Sequence, residues 1–299
     1  MFDGNKLLEM IVRFDRTPCG AVQAPVVVRA RIVMRHGEYG YDAPYALVIF
    51  GSLTVLTGLG VAIAWWRMPS QATGPITLYF VLFLVNTTSF FYTTRRGKFI
   101  EWDRILDRTH LRGDEMVLDM GCGRGAVLTA VARRLMTGRV TGVDIWSKTD
   151  QSGNAMDVAL RNVSLEGVSE RVHIETADMR ALPFTDATFD LVVSSLAIHN
   201  VRSNADRKRA ISEAFRVLKP GGRMVIADIR ATAIYADALR TLGASNVERH
   251  RLGWRFWWGI RSPPQLSSRL QNPKFEDLQR VSETIHGRQA FLFVGAARA

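Results

Sequence analysis

Cysteine is almost missing from this chain: there are two in 299 residues, Cys19 and Cys122. Two thiols cannot make a disulfide framework, and neither has the paired spacing of a zinc site. A stapled secreted scaffold is therefore excluded, no metal is implied, and most of the chain is expected to face a reducing compartment. A secretory leader is also lacking, because residues 1–40 show no charged start, apolar stretch and small-residue cleavage site in sequence. Acid is in short supply, with 28 Asp and Glu against 39 Lys and Arg, for a net charge of +11. That excess suits nucleic-acid phosphates or an anionic membrane surface, and charge alone does not choose between them. There is no internal repeat and no low-complexity tract.

Charge is absent altogether from two stretches. Residues 43–66 have no ionisable side chain except the Tyr45 phenol, and residues 76–94 form a second uncharged run after a break containing Arg67, Pro69, Gly74 and Pro75. About 20 apolar residues span roughly 30 Å of hydrocarbon as a helix, so the pair predicts a transmembrane hairpin. Two buried helices of a soluble protein are the alternative, but those normally carry a polar stripe that is lacking here. Trp65, Trp66, Tyr79 and Tyr92 lie towards the run ends, where amphipathic rings favour headgroups. Arg29, Arg31 and Arg35 precede the first run and Arg95, Arg96 and Lys98 follow the second, whereas the turn has only Arg67. That asymmetry predicts a two-pass topology with both ends cytoplasmic. Residues 1–42 then read as a basic arm, 43–94 as the hairpin and 95–299 as a catalytic domain. Gly51, Gly58 and Gly60 suit either pairing with a second hairpin or packing within this one.

After Arg95 the pattern changes to short apolar runs alternating with amphipathic stretches, the sign of a parallel sheet covered by helices. Strands are expected at 116–121, 139–145, 171–177, 189–195 and 222–229, helices at 126–136, 154–166 and 205–218, and two further strands at 245–255 and 290–297. The strand starts fit the roughly 30 residues that each strand, helix and strand unit requires.

The strongest chemical signal is Val117-Leu118-Asp119-Met120-Gly121-Cys122-Gly123-Arg124-Gly125, a buried strand ending in a glycine-rich turn that opens a helix. Glycines let backbone approach a nucleotide-like ligand where any side chain would collide. A dinucleotide site uses G-x-G-x-x-G, whereas the spacing here is G-x-G-x-G after Asp119, and a carboxylate there suits a cationic amino acid better than a pyrophosphate.

With these residues the chain resembles a class I, Rossmann-like S-adenosylmethionine-dependent methyltransferase across residues 102–299. The resemblance implies an α/β fold with a doubly wound, seven-stranded, mostly parallel sheet, preceded here by the hairpin. It implies S-adenosylmethionine as cofactor, leaving S-adenosylhomocysteine. It places Asp119, Gly121, Cys122, Gly123 and Gly125 around that cofactor, Asp144 and Ile145 at the ribose, and Asp178 and Met179 at the adenine. Ser194, Ser195, His199 and Asn200 end the fourth strand beside the expected methyl group, with Ser194 on the cofactor and His199 and Asn200 as the catalytic candidates. Leu218-Lys219-Pro220-Gly221-Gly222 matches the family's turn before the fifth strand. More narrowly, the chain is similar to bacterial methyltransferases with an N-terminal hydrophobic hairpin and a segment like Asp144-Ile145-Trp146-Ser147-Lys148 followed by Asp150-Gln151-Ser152-Gly153-Asn154. That puts Trp146, Ser147, Gln151 and Asn154 at the border of adenosine, with a helix N-cap as the competing role for Asn154.

Methyl transfer needs alignment of a nucleophile rather than a covalent intermediate. A base helps only where the acceptor must first lose a proton, and His199 is placed for that or for packing. No Asn-Pro-Pro-Tyr sequence follows the fourth strand, which disfavours methylation of nucleic-acid base amino groups. Trp254-Arg255-Phe256-Trp257-Trp258 suggests a membrane-facing surface or an aromatic wall for the acceptor, against a plain core role. The leading expectation is methylation of a small lipophilic acceptor at the membrane, with membrane lipids as partners. The alternatives are RNA or protein as acceptor, and a non-catalytic membrane-tethered cofactor-binding protein.

Overall fold

The computed structural model describes residues 35–67, 73–147, 149–252, 254–256 and 289–294. Most of the basic arm, Trp257 and Trp258 lie outside the described residues. Helix α1 (Pro44–Arg67) and helix α2 (Gly74–Tyr92) pack against each other as a hairpin, and both are long and apolar enough to cross a membrane. Pro44 and Pro75 sit in the first turns, where a missing N–H costs nothing. Between the helices Thr54 and Thr87 join their hydroxyls at 2.9 Å, Gly58 receives the Phe80 ring and Gly60 the Ile76 side chain. Two of the three glycines of α1 thus serve internal packing, while Gly51 meets nothing within 4 Å. The outward faces stay apolar, with Val55 62%, Leu56 64% and Trp66 81% exposed.

The second helix does not stop where the uncharged run ends. It passes through a π-helical turn, Thr93–Gly97, into helix α3 (Lys98–Arg108), and the whole stretch Gly74–Arg108 is 35 residues long. The expected break at residue 95 is therefore absent: Thr-Thr-Arg-Arg-Gly contains no proline, and the turn is a π-bulge inside one continuous helix. Beyond it α3 buries Trp102, Ile105 and Leu106, the two aliphatic side chains each contributing about 1.5–3 kcal/mol.

The α/β part alternates β1 (Met116–Met120), helix α4 (Ala126–Ala132), β2 (Arg139–Asp144), helix α5 (Met156–Leu165), β3 (Val172–Thr176) and β4 (Phe189–Ser195). It continues with helix α6 (Asn204–Val217), β5 (Leu218–Asp228), helix α7 (Thr232–Thr241), β6 (Val247–Arg251) and β7 (Gln289–Val294). The sheet order is β3-β2-β1-β4-β5-β7-β6, and the strand pairs are parallel. This is an α/β Rossmann-like fold. Strand β5 begins earlier than expected because Lys219–Gly222 bulges out of the ladder instead of preceding it: Phe189 pairs with Leu218 and Leu191 with Arg223. Val117, Leu191 and Val193 face one core layer under α3 and α4, and Leu118, Met120 and Val192 face the other under α6 and α7. The winding reverses between β1 and β4, so their carboxyl ends splay and leave a crevice, the place where open α/β sheets bind ligands.

Candidate active site

A cavity of about 540 Å³ occupies that crevice. Its floor is the turn after β1. Gly121, with φ +77°, lies where a Cβ would run into the Ala197 methyl, and Gly123, with φ +51°, where one would come 2.7 Å from Gln151 Oε1. Any L-residue would be strained at both positions and would fill the space the backbone leaves.

Asp119 is 1% exposed, and neither of its carboxylate oxygens has a hydrogen-bond partner. Burial, with the neighbouring Asp144 carboxylate, pushes its pKa up to about 8, and the Leu128 amide, outside hydrogen-bond geometry, offsets only part of this. A buried carboxyl left without a partner costs stability, and the shape of the turn explains why it is kept: it sits below a backbone bend that only glycines can make. Asp144 is held differently. Its oxygens accept from Gly123 N at 2.8 Å, Trp146 N at 2.6 Å and Asn154 Nδ2 at 3.3 Å, while burial raises its pKa above the usual carboxylate range. Three of roughly four acceptor sites on a carboxylate are thereby used, leaving capacity for one more donor.

Asn154 does not cap α5, whose N-cap position is Ala155; its amide steadies Asp144 and reaches Ser147 O at 3.2 Å. Asp178 faces the cavity but is clamped by Arg180, with Nε 3.0 Å from each oxygen and an Nη 2.6 Å from Oδ2, and this guanidinium holds its pKa below the usual range.

At the end of β4 the chain enters a short turn, Ile198–Asn200. His199 is 8% exposed and its Nδ1 lies 2.6 Å from Asp228 Oδ1, close but off the line of an ideal hydrogen bond. Asp228 ends β5 fully buried, and its other oxygen accepts from the His199 amide and the Tyr235 hydroxyl, each at 3.1 Å. Burial beside this acid pushes the Tyr235 phenol well up, so Tyr235 is a fixed donor. The dyad leaves Nε2 as the ring nitrogen that Asp228 does not engage.

The cavity gathers Asp119, Gly121, Cys122, Gly123, Asp144, Ile145, Asp178, Met179, His199 and Asn200. Three expected residues lie elsewhere. Ser194 spends its buried hydroxyl on Met120 O at 2.7 Å, tying β4 to β1, and Ser195 is the one that lines the cavity, accepting from Trp102 Nε1 at 2.7 Å. The period of two along a strand decides this: adjacent residues face opposite sides. Gly125 forms the N-cap of α4, with φ +83°, outside the lining. Trp146 also lies outside it, with its indole on Thr176 Oγ1, whereas Ser147, Gln151 and Asn154 line it. Phe256 is buried in the core layer with Phe90 and Trp102 instead of forming an acceptor wall or a membrane face.

Sequence reasoning missed Asp228, whose only signal is an acid at the carboxyl end of a buried strand, and a contribution from the foot of the hairpin and the helix that continues it. Asp42, Tyr45, Phe90, Lys98 and Trp102 all line the same cavity. Asp42 accepts from Lys98 Nζ at 2.5 Å, Thr94 Oγ1 at 3.0 Å and Gln151 Nε2 at 3.1 Å. Gln151 Oε1 in turn accepts from Arg124 N at 3.0 Å, so the glycine turn is tied to the foot of the hairpin through one side chain.

A buried carboxylate with no partner, backbone stripped of side chains around it and an unsaturated Asp144 beside it fit a ligand with a cationic amino acid end and a hydroxylated sugar. Comparison with known proteins agrees. Residues 118–226 match the family described as "Methyltransferase domain". The chain is 35% identical over 131 residues to demethylmenaquinone methyltransferase of Symbiobacterium thermophilum, covering 43% of this chain and 49% of that one. It is 38% identical over 128 residues to 27-O-demethylrifamycin SV methyltransferase of Amycolatopsis mediterranei, covering 42% and 43%. The match thus spans about half the length of these curated relatives. Among solved structures, the YcgJ protein of Bacillus subtilis matches at 24% identity with a TM-score of 0.38, over 48% of this chain and 58% of that one. Residues 118–226 are thus similar to a methyltransferase domain.

Proposed function

We propose that the chain transfers a methyl group from S-adenosylmethionine to a small lipophilic acceptor at a membrane surface, as a two-pass protein whose catalytic domain faces the cytoplasm. The observation that carries this reading is the cavity itself: one side holds an unpartnered buried carboxylate under a glycine turn, the other holds a histidine backed by a buried acid, and Phe90, Lys98 and Trp102, from a helix that runs on from the apolar hairpin, line it as well. When bound, S-adenosylmethionine supplies a methyl group on a sulfonium, already a strong electrophile.

The protein's residues have the remaining tasks. Asp119 and the Gly121 to Gly123 backbone take the amino acid end, Asp144 takes the ribose with Asn154 and the Trp146 amide fixing its orientation, and Met179 lies by the base. His199 accepts a proton from the acceptor, while Asp228 holds the imidazole and stabilises its charged form; positioned bases of this kind contribute about 10²–10⁴-fold. Asn200 lines the acceptor side and orients it. Two curated relatives are named for a demethylmenaquinone and a demethylrifamycin, which supports an apolar small-molecule acceptor.

The test is incubation of the full chain in lipid nanodiscs with methyl-labelled cofactor and a lipid extract. Label in an organic-soluble product is expected. Label confined to RNA, to protein or to water-soluble compounds refutes the acceptor assignment, and cofactor binding without turnover on any of these refutes the catalytic one.

A further inference from the structure

The foot of the hairpin is part of the wall of the cavity. Tyr45 lies in the first turn of α1 and is 60% exposed, Phe90 lies in the last turn of α2 and is 3% exposed, and both line the space that holds Asp119 and His199. They belong to the same end of the hairpin, since Phe50 of α1 contacts Phe90 at 6.4 Å between ring centroids and Tyr41, just before α1, contacts Phe91 at 6.2 Å. Trp102, one continuous helix further on, completes an aromatic side to the cavity and is fixed by its bond to Ser195.

Depth along the helix gives this meaning. Arg95 and Arg96 are exposed in the π-helical turn and mark the level of anionic headgroups. Phe90 precedes Arg95 by five residues, which at 1.5 Å per residue is roughly 7.5 Å towards the apolar end. The interfacial layer of a bilayer is roughly 5–7 Å thick on each side. The wall at Phe90 thus lies at the boundary of the hydrocarbon, while His199 and Asp119 lie on the water side. The foot cannot fold into the space it borders, because the buried Asp42 and Lys98 pair, with Thr94 and Gln151, pins the start of α1 to the π-helical turn and to the cofactor loop.

We infer that this aromatic foot is the acceptor's docking site, and that it takes a bilayer-resident amphiphile sideways from the membrane: the ionisable head enters between Tyr45 and Phe90 to reach His199, and the single apolar tail stays in the lipid along the hairpin. This rests on the reading of the chain as a membrane-embedded methyltransferase and adds the route and the kind of molecule. A tail left in lipid keeps its burial, so only the head is desolvated on binding, and a soluble head without a tail forgoes that concentration at the interface.

The test uses the full chain in phospholipid nanodiscs, with S-adenosylhomocysteine binding recorded on every sample and a long-chain 4-alkylphenol bearing a diazirine next to its ring as probe. Expected are cross-links on peptides holding Tyr45 and residues 90–102, suppressed by unlabelled long-chain alkylphenol and not by phenol at the same concentration. Tyr45→Asp, an exposed site that tolerates charge, is expected to cut that labelling about tenfold, the effect of 1.4 kcal/mol. Cross-links spread over the lipid-facing surface near Val55 and Trp66 with no enrichment at the foot overturn the inference, as does equal competition by phenol. Loss of S-adenosylhomocysteine binding by the unsubstituted chain overturns the cofactor reading instead, so the two failures are told apart; wild-type cross-link mapping stands whether or not Tyr45→Asp folds.

Discussion

Replacing Asp119 with asparagine is expected to strengthen the fold and weaken cofactor binding at once. The native carboxyl is fully buried, lacks a hydrogen-bond partner and has its pKa raised to about 8. Between the unfolded value near 4 and this folded value, folding must take up a proton, so stability falls as pH rises across that window, by about 1.4 kcal/mol per pH unit from this group. At pH 7 the linkage costs roughly 4 kcal/mol, which Asp119→Asn removes.

Binding has the opposite sign. A cationic amino group needs the ionised carboxylate, which is about one in a hundred of molecules at pH 6 and about one in ten at pH 7. The apparent affinity for S-adenosylhomocysteine is scaled by that fraction, so it rises about tenfold from pH 6 to pH 7 and levels off above pH 8. Calorimetry in buffers of different ionisation enthalpy should show close to one proton released per ligand bound at pH 7. In Asp119→Asn the pH dependence and the proton release vanish, and affinity at pH 8 falls by about 1.5–3 kcal/mol, the worth of a hydrogen bond to a charged group. Affinity that is flat between pH 6 and 8, or a variant less stable than the parent at pH 7, refutes the assignment of this carboxyl to the cationic end of the ligand.

Asp228→Asn keeps the packing of β5 but loses the charge facing His199 Nδ1; turnover should fall about 10²-fold or more with S-adenosylhomocysteine affinity little changed, measured by single-turnover kinetics beside calorimetry. Gln151→Ala cuts the link between Arg124 N and Asp42 and also the bond to Tyr39 O, and three lost hydrogen bonds at about 1 kcal/mol each should weaken cofactor binding about tenfold or more, with secondary structure unchanged by circular dichroism. Lys98→Met leaves Asp42 without its cation in a largely buried site and should destabilise the chain by about 3–5 kcal/mol in detergent unfolding, with Asp42→Asn in the same chain restoring most of the loss. Gly123→Ala strains a left-handed backbone position by about 1–2 kcal/mol and presses on Gln151, so cofactor binding should drop and the melting midpoint should fall by a few degrees.

Legibility followed the range of each interaction. The glycine turn and the acid before it could be read because their chemistry is local: a strand end, a bend that needs positive φ and a carboxyl lie within seven consecutive residues. The apolar helices could be read because length and lack of charge are properties of a segment. Ser194 and Ser195 could not be told apart, since which of two neighbours faces the crevice depends on strand phase against β1. The role of Asn154 was open because bordering adenosine and capping a helix both suit an amide just before a helix, and its bond to Asp144 forms only once the chain is folded. Asp228 was invisible for a different reason: it meets His199 only when β5 lies beside β4, 29 residues further along the chain.

By itself, then, the sequence determined the kinds of element and the ligand-shaped turn, because periodicity, glycine and charge act over a few residues. Tertiary structure alone decided that the two halves share one cavity. A π-helical turn carries the second apolar helix unbroken onto the sheet, and Asp42, Lys98 and Gln151 meet across more than a hundred residues of chain. Such a meeting depends on packing angles that no segment encodes alone, and it makes the foot of the hairpin a wall of the active site.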